Sequence, residues 1–325
     1  MADIITEFNN NQIGPVLAEE PLKNHTNFKI GGPAKYFFTA LNTADLIKAV
    51  QVANELNVKT FYLGLGSNVL VSDGGLDGLV IKIKTNQLKI TDCSVVAEAG
   101  VNLAWLVQQI VAAGLTGLEP LVGVPGTVGG AIYGNAGLPK IKQGFMGDWV
   151  NSVTVLRQDK IITLTKEACN FSYRQSLFKT NEDVILSVNL KLNPGVSAQS
   201  RELMATYIKA RQNQPYNKPS SGCIFTNLVI ENPAELRSKF PNNSEIEDFI
   251  KQGGQQLPAA WLIDQAGLKG KTMGDIKISE EHANYLLNLG QGTAEQVIMM
   301  ISYIKQQVRD KFGYQLKEEI KYLGF

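Results

Sequence analysis

The stretch "GLEPLVGVPGTVGGAIYGNAG", Gly117 to Gly137, places Pro125, Gly126, Thr127, Gly129, Gly130, Asn135, Ala136 and Gly137 in one loop-like run too long for a hairpin turn. With so few side chains in the way, a backbone of this kind can approach a flat or highly charged ligand. A second stretch upstream, "YLGLGSN" from Tyr62 to Asn68, offers Leu63, Gly64, Gly66, Ser67 and Asn68. Its two glycines follow a strand pattern at the interval of a dinucleotide fingerprint, but the third glycine position is Val69 and the next residues are strand-like, not helical. The Rossmann reading fails there. Gly-rich turns can still point successive backbone N–H groups into an anion-binding concavity, with Ser67 and Asn68 adding donors; a tight turn without a ligand is the plain alternative. Two such loops from separate segments fit a dinucleotide whose pyrophosphate lies between domains. Without a Rossmann pattern, an adenine dinucleotide held by strand loops suggests FAD, not NAD.

Working outward, Leu46, Ile47, Ala49, Val50 and Ala53 recur at helical spacing ahead of strands broken by Gly turns, a βαβ-like opening. The stretch "NLAWLVQQIVAAG" carries the stripe Leu103, Leu106, Val107, Ile110 and Val111, with Trp105 read as core beside it and Gly114 as the C-terminal stop. Alternating strands follow in "VNSVTVLRQDKIITLT" and "DVILSVNLKLNPG", then a helix in "SRELMATYIKARQNQ", then a domain boundary at "PYNKPSSG". Beyond it, "AAWLIDQAGLKG" and "TAEQVIMMISYIKQQVRDKFG" predict amphipathic helices, and "YQLKEEIKYLGF" a short strand returning to an earlier sheet. Strands and helices mixed in this way predict α+β layers.

Composition narrows the function. A chain of 325 residues predicts two or three domains, and 31 Lys+Arg against 30 Asp+Glu give no electrostatic footprint for nucleic acid or a membrane surface. No apolar run is long enough to span a bilayer and the polar start is unlike a leader, so the expectation is a cytoplasmic protein with a small-molecule ligand. Cys93, Cys169 and Cys223, with only His25 and His282, supply neither a disulfide framework nor a metal cage. Oligomeric state stays open, a monomer included.

Several residues could carry chemistry. In "NFSYRQS", Arg174 has the fixed charge and planar fork suited to a carboxylate or a developing enolate oxygen, or simply to pairing with a surface acid. Glu318 and Glu319 would face opposite ways on a strand, so only one can point inward. Cys223, in "PSSGCIFTN", is open to being a nucleophile, a metal ligand, a redox partner, an acid or packing. By themselves His282 reads as a surface or helix-end residue and Lys269 as a loop cation.

In order and spacing, "NHTNFKIGGPA", "LGLGSNVLVSDGG", "GLEPLVGVPGTVGGAIYGNAG", "FSYRQSLF", "SGCIFTN", "AAWLIDQAGLKG", "EEHANYLLN" and "EEIKYLG" resemble the UDP-N-acetylenolpyruvoylglucosamine reductase family over nearly the whole chain. The short interval between Arg174 and the strand expected near Val184 marks the form that lacks an extra Tyr-bearing loop. The resemblance implies a vanillyl-alcohol-oxidase-type FAD-binding fold: residues 1–86 completed by 316–325, a second FAD-binding subdomain over 87–212, and a third α+β substrate domain over 213–315. It implies NADPH as hydride donor to FAD and a UDP-sugar enolpyruvate as acceptor. Arg174 then corresponds to the cation for the intermediate, Glu319 to the essential acid, and Cys223 stands where the family carries a Ser proton donor. Tyr173, Asn227, Lys269 and His282 match positions facing the substrate or its UDP part, with Lys269 as diphosphate cation, and Arg211 falls within reach. A flavoprotein oxidising an alcohol or sugar, or a non-catalytic nucleotide sensor, would use the Gly loops without needing Arg174, Cys223 and Glu319 together.

Overall fold

The structure, a computed structural model, describes residues 4–139, 141–212, 214–215 and 217–325. It is an α+β fold with three centres of packing. In the first, a sheet is ordered Val16–Pro21, Pro33–Ala40, Leu76–Ile83, Thr60–Leu63. Both neighbours of Leu76–Ile83 run parallel to it, and Val16–Pro21 is antiparallel at the edge. Helix Thr43–Glu55 makes the crossover, its N-terminus closed by Asn42 Oδ1, which accepts from the Asp45 N–H at 2.8 Å. The helix buries Leu46, Ala49, Val50, Val52 and Ala53 against Leu79 and Ile81. That is the βαβ-like opening the sequence predicts.

The second centre is an antiparallel sheet ordered Lys160–Thr165, Val150–Arg157, Val184–Lys191, Ser94–Glu98, Leu88–Thr91. Helix Leu103–Ala112 buries the whole predicted aliphatic stripe, and Gly114 at φ +75° follows it. Trp105 departs from the expectation: it is 42% exposed. At about 100° of rotation per residue Trp105 lies roughly 200° from Leu103, on the side of the helix opposite the stripe.

The third centre gathers helix Ala259–Gln265, helix Ala294–Phe312 and the small sheet Thr272–Met273, Ile276–Ile278, Leu286–Asn288 around Leu262, Ile276, Val297, Met300, Ile301, Ile304 and Val308. Phe28, Ile30 and Leu70, from the N-terminal part of the chain, belong to the same apolar cluster. Two further ties hold these parts together. The C-terminal strand Lys321–Leu323 lies parallel to Val69–Val71, the distant partner its sequence calls for. The Asp73 carboxylate accepts the N–H groups of Ala294 (2.9 Å) and Glu295 (3.1 Å), closing the long helix's N-terminus with a negative charge. Among the described residues no helix is long and apolar enough to cross a membrane.

Candidate active site

A cavity of about 700 Å³ opens where the three centres meet, within the size range of cofactor and ligand sites. Its floor is made by the two Gly-dense loops, which touch: Ser67 Oγ donates to the Pro125 carbonyl at 2.9 Å. A Cβ on Gly64 would come within 2.6 Å of Thr127 Oγ1, so this approach of the loops requires glycine there. Gly126, at φ +152°, has a backbone that other residues rarely adopt. Thr127 Oγ1 accepts the Gly130 N–H at 3.2 Å and caps the short helix Val128–Gly134. Paired loops with no side chain filling the space between them fit a dinucleotide, and Leu63, Gly64, Gly66, Ser67, Asn68, Pro125, Gly126, Thr127, Gly129, Gly130, Ala136 and Gly137 all line the cavity.

Asn135 is the exception and does not line the cavity. Only 4% exposed, it turns the chain at φ +41°, its Oδ1 accepts the Gly147 N–H at 2.9 Å, and its Nδ2 donates to the Ser172 carbonyl at 2.8 Å. Its side chain is occupied in anchoring the segment that carries Tyr173 and Arg174. A left-handed Asn looks like a ligand donor in sequence because the same short amide serves both purposes.

Opposite the loops, Arg174 Nε stands 2.9 Å from Glu319 Oε1, with the two side chains 20% and 15% exposed. Among the described residues the Arg174 Nε–H finds no aligned acceptor, so the contact is an ion pair by distance and not a directed hydrogen bond. Arg174 itself sits at φ +57°, and Lys179 Nζ donates to its carbonyl at 2.8 Å. Burial pushes the Glu319 carboxyl above its ordinary value against the pull of Arg174 and Lys179. Its neighbour Glu318 pairs with Lys305 at 2.6 Å; both glutamates precede the C-terminal strand Lys321–Leu323 and are not part of it.

Cys223 is joined to this pair through the backbone, since the Glu319 N–H donates to the Ile224 carbonyl at 2.7 Å. Its thiol lines the cavity, and burial, with Glu319 adding to it, pushes it up to about 12, while Arg174, Arg211 and Tyr285 pull the other way. Two residues before it, Ser221 is 1% exposed, and its Oγ has no partner among the described residues at the cavity wall. Tyr173 Oη accepts the Asn227 N–H at 3.1 Å, and Asn227 Oδ1 accepts the Ala259 N–H at 3.3 Å, so both face the cavity from fixed positions. His282 lines it as well, its ring kept neutral by burial and the nearby Lys269 charge. Lys269 itself does not line it: the side chain is exposed and paired with Asp264 at 2.6 Å. Arg211 does, held by the Gly123 carbonyl.

Sequence reasoning passed over Lys179, Tyr133, Gln214 and Tyr285, all of which line the cavity. Lys179, five residues past Arg174, had a signal in its motif: burial lowers its basicity, as a surface lysine's would not be. Tyr285 had none, because an aromatic running into two leucines reads as core.

Residues 34–164 match the family described as FAD binding domain. With the paired Gly loops and the charged cluster across from them, the molecule is an FAD-dependent oxidoreductase. Residues 214–323 match the family described as UDP-N-acetylenolpyruvoylglucosamine reductase, C-terminal domain. A relative named UDP-N-acetylenolpyruvoylglucosamine reductase from Solibacter usitatus is 34% identical over 312 residues, 95% of this chain and 97% of that one. Another of that name, from Anoxybacillus flavithermus, is 36% identical over 320 residues, 96% of this chain and 95% of that one. The crystal structure of the reductase from Thermus caldophilus superposes with a TM-score of 0.73 at 31% identity, covering 95% of this chain and 98% of that one. The chain belongs to the UDP-N-acetylenolpyruvoylglucosamine reductase family.

Proposed function

We infer that this chain carries out NADPH-dependent reduction of UDP-N-acetylglucosamine enolpyruvate to UDP-N-acetylmuramate, a step of peptidoglycan precursor synthesis, in the cytoplasm. The observation that carries the reading is the meeting of Arg174, Glu319 and Cys223 at one cavity wall, across from loops suited to FAD. The reading divides the chain into 1–86 with 316–325, 87–212 and 213–315, in keeping with three packing centres and a C-terminal strand beside Val69–Val71.

FAD held by the loops 64–68 and 125–130 would supply the hydride chemistry between NADPH and the vinyl methylene carbon of the substrate. Negative charge then gathers on the carbon beside the carboxylate. Arg174 lies where a planar cation can offset that charge in a site with little water. Glu319, whose carboxyl burial holds toward its neutral form, donates a hydrogen bond to the same oxygens. Cys223 completes the reaction: its S–H bond breaks, the proton joins the carbon, and a thiolate remains. Burial holds the group as a thiol at neutral pH, loaded with the proton it must give. Tyr173, Asn227 and His282 hold the sugar nucleotide, while Lys269, paired with Asp264 and absent from the cavity lining, would meet its diphosphate only by leaving that partner.

Anaerobic stopped-flow spectroscopy separates the steps. For Cys223→Ala, bleaching of the flavin by NADPH should keep its rate, while reoxidation by the enolpyruvyl substrate should slow by about 10²–10⁴-fold, the weight of a positioned proton donor. Cys223→Ser should recover part of the loss. Reoxidation at the original speed in Cys223→Ala would remove the thiol from the mechanism.

A further inference from the structure

We propose that Tyr285 is a positioning residue for the Cys223 thiol: its hydroxyl binds the sulfur and holds the thiolate left when the proton departs. This rests on the reading of Cys223 as the acid. The backbone brings the two together, since Cys223 and Tyr285 face each other as an antiparallel pair, an arrangement that puts both side chains on one face. The register is clamped on the next residues: the Ile224 N–H donates to the Asn284 carbonyl at 2.9 Å. The Asn284 amide both accepts from the Phe225 N–H at 2.9 Å and donates to its carbonyl at 2.8 Å. The Tyr285 ring is 8% exposed and packs edge-on to His282 at 5.0 Å, so it has little room to leave. Its hydroxyl donates to Gln214 Oε1 at 3.2 Å, and the antiparallel pairing sets its side chain on the same face as that of Cys223.

A tyrosine hydroxyl has one proton and two lone pairs. While the sulfur carries its proton, the hydroxyl can accept from S–H and donate to Gln214. Once the sulfur is a thiolate, the hydroxyl can turn its proton onto the new charge, which a phenylalanine in the same place could not do. Around the sulfur, burial and Glu319 oppose ionisation while Arg174, Arg211 and Tyr285 favour it. Tyr285 is the neutral member of the favouring set. It makes the buried thiol a better acid without adding a permanent charge that would ionise it beforehand.

The test is Tyr285→Phe in the FAD-loaded enzyme, a change that keeps the ring and its packing. Reduction by NADPH should be unchanged, and reoxidation by substrate should slow by about ten- to a hundredfold, the size of a hydrogen bond to a charged atom. Site-resolved alkylation of Cys223 against pH, read by mass spectrometry, should show its midpoint moved upward by about one unit or more. In the double variant with Cys223→Ala, removing the hydroxyl should cost nothing further. An unmoved alkylation midpoint in Tyr285→Phe overturns the proposal, and so does an equal slowing with and without the sulfur. The reading of Cys223 as the acid fails separately, if Cys223→Ala alone reoxidises at full speed, and the alkylation midpoint still judges Tyr285 in that case.

Discussion

Glu119 and Glu319 are both buried glutamates, and the protein treats them in opposite ways. Glu119, 2% exposed in the second packing centre, accepts hydrogen bonds from Ser200 Oγ and Thr116 Oγ1 at 2.6 Å each and from the Gly117 N–H at 2.8 Å. Burial pushes its carboxyl up, but these donors outweigh burial and hold it below the ordinary value. Glu319, at the cavity, has the misaligned Arg174 contact and a more distant Lys179, and there burial wins. Burial alone therefore does not set the charge of a carboxylate. The number of directed donors does, and at Glu319 few are supplied.

Removing each glutamate should break the comparison in a different observable. The largest effect belongs to Glu319→Ala, for which reoxidation of the flavin by substrate should fall by about 10²–10³-fold, a loss typical of a group that stabilises developing charge. Glu319→Gln, whose amide can still donate, should keep more of the rate; equal rates for Glu319→Ala and the unaltered enzyme would remove Glu319 from the chemistry. Next, Glu119→Ala should cost about 3–5 kcal/mol in urea unfolding, since it strands buried donors that faced a charge, while the half-reactions of the folded enzyme keep their rates.

The pH dependence separates the two residues by sign. With its folded value depressed, Glu119 contributes stability that is present above the unfolded carboxyl value and lost as pH falls through the folded one. Unfolding measured down the acid limb should lose that slope in Glu119→Ala. Glu319, with its folded value raised, contributes stability that is present below the unfolded value and lost as pH rises through the folded one; Glu319→Ala should flatten that stretch. The smallest change, Ser200→Ala, takes one donor from Glu119 and should cost about 1.5–3 kcal/mol, with no effect on either half-reaction. A stability unchanged by Ser200→Ala would show that the remaining donors suffice.

Much of this arrangement is legible in the chain before folding is considered. The helical stripes at Leu103–Val111 and Val297–Val308 appear as predicted because a period of 3.6 specifies one buried face whatever packs on it. The Gly loops are legible for a similar local reason, since the lack of side chains is written in the residues themselves. Trp105 and Asn135 mark the limit. Both have the right chemistry for the role expected of them, but Trp105 falls on the open face of its helix and Asn135 is taken up by Gly147 and Ser172.

The order of residues was enough to specify the α+β layering, the glycine cradle and the inventory of acid, cation and thiol, because periodicity, backbone freedom and functional groups are properties of single residues and short spacings. Folding was needed to decide that Glu319 pairs with Arg174 at one wall of the cavity while its neighbour Glu318 pairs with Lys305. It also decided that Lys269 spends its charge on Asp264 and that Tyr285 stands over Cys223. Protonation and partnership depend on how many donors and charges lie within a few ångströms, and those groups come from parts of the chain that only the fold brings together.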